Sequence, residues 1–211
     1  MQYNHIVFDL DGTLINTENA ILKTWQYTLK SYGFEYSLEN LRIGLGIPIP
    51  EALKQLNACD VDEDFETRWI QNYSKFSDQA EFFPGMKDML LIMKKSGLKL
   101  GVVTSRKKTE YENYFRRFKL EQLFNLIVCA DDTTQHKPDP EPLLYYAKKS
   151  GVAPNSCLYI GDMPTDVACA NAAGFASGLV TWNHSSVLEP NVDYLFSSPG
   201  DLLKLYKCSR V

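Results

Sequence analysis

Five short runs along the chain are apolar almost without interruption: 5–8 (HIVF), 98–103 (LKLGVV), 126–130 (LIVCA), 157–160 (CLYI) and 177–181 (SGLVT). Parallel strands buried on both faces carry this pattern, whereas half-exposed strands alternate. Between the runs, apolar positions recur at helical spacing. Residues 86–96 (MKDMLLIMKKS) run into Gly97, a C-terminal stop. Residues 109–118 predict a second helix and 140–150 a third. The fourth, 164–173, opens on Pro164 and closes before Gly174, the proline-first, glycine-last asymmetry of helices. This alternation predicts an α/β fold, a doubly wound Rossmann-like parallel sheet with helices on both faces.

One interval breaks the rhythm. From about Asn16 to Phe83 no convincing strand pattern occurs. Ile21, Leu22, Trp25, Leu29 and Tyr32 fall at helix spacing, as do Phe65, Trp69, Tyr73 and Phe76. The interval closes at Pro84-Gly85, a turn signal. The expected organisation is therefore a core of 1–15 and 84–211 with an inserted all-helical domain over 16–83. The aromatic and methionine positions of the helices are read as core.

Composition narrows the class. A chain of 211 residues with 45% hydrophobic content supports one or two domains with a real core. The net charge of −4 is spread along the chain, and no basic block suggests a nucleic-acid partner. No apolar run approaches membrane-spanning length, and the opening run is too short for a signal peptide. The expectation is a soluble, cytoplasmic protein with neither nucleic-acid nor membrane partners. The five cysteines, Cys59, Cys129, Cys157, Cys169 and Cys208, form no CxxC pair. They are read as small buried thiols of a reducing compartment, with no disulfide or zinc framework.

The candidate chemistry gathers where the apolar runs end. Asp9 and Asp11 follow the first run, in FDLDGTL, and Thr104 and Ser105 follow the second, in VVTS. Lys137 comes a loop after the third, in HKPDP, and Asp162 follows the fourth, in GDMPTD. Open α/β sheets bind ligands outside the carboxyl ends of their strands, so these segments would converge on one crevice. Clustered carboxylates are costly unless a cation joins them. Oxygen ligands from few side chains suit Mg²⁺, which keeps waters and takes further oxygens from a phosphate. An aspartate carboxylate can carry a phosphoryl group, splitting phosphoester hydrolysis into two easier steps. A second carboxylate can protonate the leaving oxygen and then deprotonate water. The backbone N–H groups of Leu10 and Asp11 could add an anion-binding nest.

These four segments, in this order and with a helical insert after the first, resemble the motifs of the haloacid dehalogenase-like (HAD) superfamily. The match is to its helical-cap phosphatases, phosphoglycolate phosphatases among them, and it covers nearly the whole chain. The resemblance implies that Asp9 is the nucleophile and Asp11 the general acid/base. It implies that Asp9 and Asp162 ligate Mg²⁺ together with the backbone carbonyl of Asp11. Thr104 and Lys137 would hold the transferring phosphate, with Ser105 beside them. Asp166 would support the metal shell or orient the lysine. The insert would be the cap. The implied activity is Mg²⁺-dependent hydrolysis of a small phosphorylated metabolite, with phosphoglycolate, a sugar phosphate, a nucleotide and pyrophosphate all fitting. A phosphomutase of the same fold, or a silent phosphate- or partner-binding module, is the alternative.

Taken singly, each feature has a plainer structural reading. Asp-x-Asp-Gly makes turns, Thr104 and Ser105 can cap, and Asp162 and Asp166 suit a helix N-terminus. His136-Lys137-Pro138 can be an exposed loop. Asp139 reads as a helix cap, and His5 and His184 as structural. Only the joint arrangement points to catalysis. The family often carries Asp then Ser where this chain has Asn16 and Thr17, a hinge position and not a chemical one. In SRKK, 105–108, Arg106 and Lys107 read as solvated helix-start cations, with contact to an anionic substrate as the sharper alternative. Substrate choice is expected in LRIGLGIPIPEAL, 41–53, a rigid loop shaped by two glycines and two prolines. Its single cation, Arg42, is too little for a mutase, which must hold a second phosphate.

Overall fold

The computed structural model describes residues 3–183 and 191–207. His184 and Cys208 lie outside the described residues. The chain divides into two compact units, Met1–Ile15 with Phe82–Val211, and Asn16–Glu81. The two-residue strands Ile15–Asn16 and Glu81–Phe82 lie where the chain passes from one unit to the other.

The first unit holds a six-stranded, all-parallel sheet: β1 (His5–Phe8), β2 (Lys99–Val103), β3 (Leu126–Val128), β4 (Cys157–Gly161), β5 (Ala176–Val180) and β6 (Tyr194–Phe196). Their spatial order is β3-β2-β1-β4-β5-β6, that of a doubly wound dinucleotide-binding sheet. The continuous apolar runs follow from burial on both faces: Ile6, Val7 and Phe8 of β1 and all five residues of β4 are buried. Full burial of a side chain such as Ile6 or Phe8 contributes about 1.5–3 kcal/mol, so Val7→Asp would disrupt the sheet at its centre. Register aligns the carboxyl edge. Phe8 lies opposite Val102 on β2 and Ile160 on β4, so the residues after these strands emerge side by side.

The second unit contains α1 (Glu18–Ser31), α2 (Leu38–Leu41), α3 (Ile49–Gln55) and α4 (Phe65–Tyr73). Its core is aromatic: Trp25 meets Phe65 at 5.7 Å and Trp69 at 5.8 Å between ring centroids. The segment 41–53 is not loop throughout. Residues 42–44 make a 3₁₀ turn, and α3 begins at Ile49 with Pro50 in its first turn, where its missing N–H costs nothing. Gly46 carries φ +72°, which a side-chain-bearing residue adopts only with strain.

The helices of the first unit are α5 (Met86–Lys95), α6 (Lys108–Glu110), α7 (Glu141–Ser150), α8 (Pro164–Ala173) and α9 (Pro199–Lys207). The expected helix 109–118 is irregular. Only 108–110 are α-helical; Tyr111–Phe115 form a π turn and Arg116–Phe118 a 3₁₀ turn ending at left-handed Lys119. The wider turn buries both Tyr111 and Phe115. β6 and α9 carry no expectation from the sequence, because Tyr194-Leu195-Phe196 is too short a run to register as a strand. Three cysteines match the plain reading: Cys129, Cys157 and Cys169 are buried free thiols pushed up to about 12 by burial; Cys59 does not, being exposed. His5 bonds the Tyr146 hydroxyl at 3.1 Å, a structural role. Among the described residues no helix is long and apolar enough to cross a membrane.

Candidate active site

The site lies at the carboxyl edge of the sheet, beside β1 and β4, where the strand order reverses. Asp9 leaves β1, Thr104 leaves β2 and Asp162 leaves β4. Lys137 arrives on the crossover between β3 and α7, and Asp166 lies in the first turn of α8. Lys137 Nζ donates to Asp9 Oδ1 at 2.8 Å, Asp166 Oδ1 at 2.7 Å and the Tyr159 hydroxyl at 3.1 Å. All three ammonium donors are thereby directed inward, and the peptide bond between Lys137 and Pro138 is cis. Asp139 acts as expected, accepting from the Glu141 N–H at the start of α7 at 2.8 Å.

Asp166 is fully committed. Its Oδ2 accepts from the backbone N–H groups of Asp162 and Met163, and its Oδ1 accepts from Lys137 and Tyr159. Capping α8 and orienting the lysine are therefore one arrangement. Gly161 is required beside it, since a Cβ there would come within 2.3 Å of the Asp166 carboxylate. Asp162 accepts from Thr13 Oγ1 at 3.3 Å and from Asn183 Nδ2 at 2.5 Å. Gly12, at φ +75°, lets the loop after β1 approach Asp162: a Cβ there would lie 2.3 Å from Asp162 Oδ2.

Carboxylate oxygens of Asp9, Asp162 and Asp166 all lie within 4.8 Å of one another. One ammonium against three buried carboxylates leaves negative charge in excess. Burial pushes Asp9 up to about 7 despite the pull of Lys137. Burial, with Asp9 and Asp166 nearby, holds Asp162 well above the usual carboxylate range. Burial alone would lower Lys137, but Asp166 and Asp9 outweigh it and keep the ammonium charged well past the ordinary lysine range. This donor set fits a hard divalent cation. So does Asn183, whose buried Oδ1 has no hydrogen-bond partner among the described residues although its amide touches Asp162. Because Asp166 is committed elsewhere, Asp9 and Asp162 are the carboxylates left to hold such an ion.

Unpartnered polar groups follow β1 in the chain. Asp9 Oδ2 and the backbone N–H groups of Leu10 and Asp11 have no hydrogen-bond partner among the described residues. Buried N–H groups are rarely left this way without a ligand. Thr104 Oγ1 accepts from the Arg106 N–H at 3.1 Å, which leaves its own proton to donate. Ser105 is exposed on the same turn. Arg106 departs from expectation. Lys107 is exposed, but the Arg106 side chain is only 13% exposed and pairs with Asp11 at 2.9 Å and Glu110 at 3.0 Å. Arg106, Tyr159 and Asn183 are site residues that sequence reasoning missed or misread. None belongs to a recognisable spacing; only the proximity of Arg106 to VVTS was a signal.

Comparison with known proteins agrees with this geometry. The family model for haloacid dehalogenase-like hydrolases matches residues 6–180. The "putative pyrophosphatase PpaX" of Clostridium perfringens is 32% identical over 204 residues, covering 95% of each chain. The crystal structure of a "putative phosphoglycolate phosphatase" from Lactobacillus plantarum superposes with a TM-score of 0.86 at 31% identity, covering 97% of this chain and 100% of that one. That of a "putative beta-phosphoglucomutase" from Thermotoga maritima gives 0.80 at 27% identity, covering 97% and 98%. With its strand order, its acidic edge and these similarities, the chain belongs to the haloacid dehalogenase-like hydrolases, among their phosphatase-type enzymes.

Proposed function

We propose that this protein hydrolyses a small phosphate ester or anhydride through an aspartyl-phosphate on Asp9, with Mg²⁺ as its cofactor. The observation that carries the reading is the Asp9 carboxylate itself. One oxygen is held by Lys137, the other is unengaged among the described residues, and it stands next to two bare backbone N–H groups. In the first step Asp9 Oδ2 bonds to phosphorus while the leaving oxygen takes a proton from Asp11. In the second, water attacks phosphorus, Asp9 is released, and Asp11 accepts the water proton. Thr104 Oγ1, the Leu10 and Asp11 N–H groups and Lys137 hold the phosphoryl oxygens as charge develops. Asp9, Asp162 and the Asp11 carbonyl would hold Mg²⁺, with Asp166 supporting. The bound ion supplies charge neutralisation that lets an anionic nucleophile meet an anionic phosphate.

The second unit, Asn16–Glu81, is read as the cap that selects the substrate, with 41–53 its selective segment. Arg42 supports a phosphatase over a mutase. It is already paired with Glu18 at 2.5 Å and Glu39 at 3.2 Å, which leaves no net positive charge for a second phosphate. The names of the relatives put pyrophosphate and phosphoglycolate first among candidate substrates. The free buried thiols Cys129, Cys157 and Cys169 support a cytoplasmic enzyme. Purified protein assayed against phosphorylated metabolites, these two included, should release phosphate with Mg²⁺ and none in excess EDTA. Full turnover in EDTA, or inertness across the panel with Mg²⁺, overturns the reading.

A further inference from the structure

The Arg106 guanidinium is built into the site on every side. Its Nε donates to Asp11 Oδ2 at 3.1 Å and its Nη2 to Asp11 Oδ1 at 2.9 Å, a two-pronged match to both carboxylate oxygens. Its Nη1 donates to Glu110 Oε1 at 3.0 Å. Glu110 is itself held, because its Oε2 accepts from the Lys107 N–H at 3.0 Å. The guanidinium also lies 5.6 Å from the centre of the Phe115 ring, brought there by the π turn. The backbone is fixed as well: the Arg106 N–H bonds Thr104 Oγ1 and its carbonyl accepts from the Ala130 N–H at 2.9 Å. Asp11 is 24% exposed and Glu110 18%, so these pairs are partly withdrawn from solvent.

A paired fork of this kind fixes the plane of a carboxylate as well as its place, which a lysine does not. Capture of substrate by Arg106 would strip both carboxylates of their partner and leave two acids adjacent. We infer that Arg106 is a positioning residue for the reaction: braced by Glu110, it sets the orientation in which Asp11 exchanges protons with the leaving oxygen and with water. The inference rests on the reading of Asp9 as nucleophile and Asp11 as acid/base. In the first half-reaction the Asp9–phosphorus bond forms, the phosphorus–leaving oxygen bond breaks with its electron pair, and that oxygen takes the Asp11 proton. In the second the water oxygen bonds to phosphorus, the pair of the broken bond returns to Asp9, and the water proton passes to Asp11. Both transfers need Asp11 correctly aimed, but the first becomes dispensable when the leaving group is a weak base.

Rapid mixing of Arg106→Gln with 2,4-dinitrophenyl phosphate and Mg²⁺ tests this. One equivalent of dinitrophenolate should be released at close to the wild-type rate. Steady turnover should then be about 10²-fold slower, the usual cost of misplacing a catalytic group by an ångström, with KM falling in step, because kcat/KM reports the unchanged first step. With the best alkyl phosphate the first turnover itself should slow. Arg106→Lys, with charge but no fork, should recover part of the loss, and Glu110→Gln should give a smaller loss of the same form. A raised KM with unchanged kcat would make Arg106 a substrate anchor and overturn the inference. So would equal slowing of the first and later turnovers with the aryl substrate, or unchanged kinetics. Dinitrophenolate release by Asp9→Asn at the wild-type rate would instead overturn the covalent reading beneath it.

Discussion

Replacing Lys137 by methionine removes the only ammonium, among the described residues, that pairs with the buried carboxylates Asp9 and Asp166. The side chain is 8% exposed and bonds Asp9 at 2.8 Å and Asp166 at 2.7 Å, whose own side chains are 9% and 2% exposed. Breaking a buried ion pair by deleting one partner costs about 3–5 kcal/mol, because the other charge stays buried and uncompensated. For a chain of this size 1 kcal/mol moves Tm by about 2–4 °C, so the metal-free variant should melt roughly 6–20 °C below wild type at pH 7.5. The deficit should shrink in two ways. Lowering the pH to 5 protonates carboxylates that burial has already raised, and Mg²⁺ offers a replacement charge. Scanning calorimetry or fluorescence melts of both proteins, at two pH values and with or without Mg²⁺, measure all three effects. An unchanged Tm in metal-free buffer at pH 7.5 would refute the claim that Lys137 neutralises this cluster, as would a deficit that grows on acidification.

Asp11→Asn should keep the fold and slow turnover of alkyl phosphates by roughly 10²–10⁴-fold, the worth of a positioned acid/base; steady-state kinetics with Mg²⁺ checks it. The wild-type protein without metal should lose stability as pH rises from about 4 to about 7, because folded Asp9 holds its proton up to about 7 while the unfolded chain gives it up near 3.8. Lys137, held well above the ordinary lysine range, contributes constant stability across that window. Added Mg²⁺ should therefore raise Tm more at pH 7.5 than at pH 5, and equal shifts at both would contradict the assignment. Gly46→Val places a β-branched residue at φ +72°, a strain of roughly 1–2 kcal/mol. It should lower kcat/KM for the true metabolite far more than for acetyl phosphate, and equal losses on the two would move specificity away from segment 41–53.

Much of the core was legible because burial on two faces leaves an unbroken apolar run, and β1, β2 and β4 are such runs. β6 and the π turn were not. A three-residue strand at the edge of the sheet is too short to carry a period, and a π turn differs from an α-helix by one residue in hydrogen-bond partner, which side-chain spacing cannot register. Within 41–53 the glycines and prolines suggested loop, but proline in a first turn starts helices, and EALKQ continues one. The four strand-end segments could be gathered in advance because topology sends them to one edge. What topology could not supply is the pairing of side chains. Arg106 and Asp11 are 95 positions apart, and a cation after a strand is ordinarily solvated. Asn183 and Tyr159 likewise act through contacts across the sheet that no local spacing encodes.

The covalent route through Asp9 is tested most directly by trapping the enzyme during turnover. Protein mixed with substrate and Mg²⁺, quenched within milliseconds and reduced with borohydride, should carry homoserine in place of aspartate at position 9 in the peptide containing FDLDGTL. With 2,4-dinitrophenyl phosphate, whose leaving group needs no proton, Asp11→Asn should yield more of it than wild type, since only breakdown of the intermediate is slowed, and Asp9→Asn none. Reduction at Asp11 or Asp162 instead, or no reduced residue while Asp9→Asn still turns over substrate, would contradict the account.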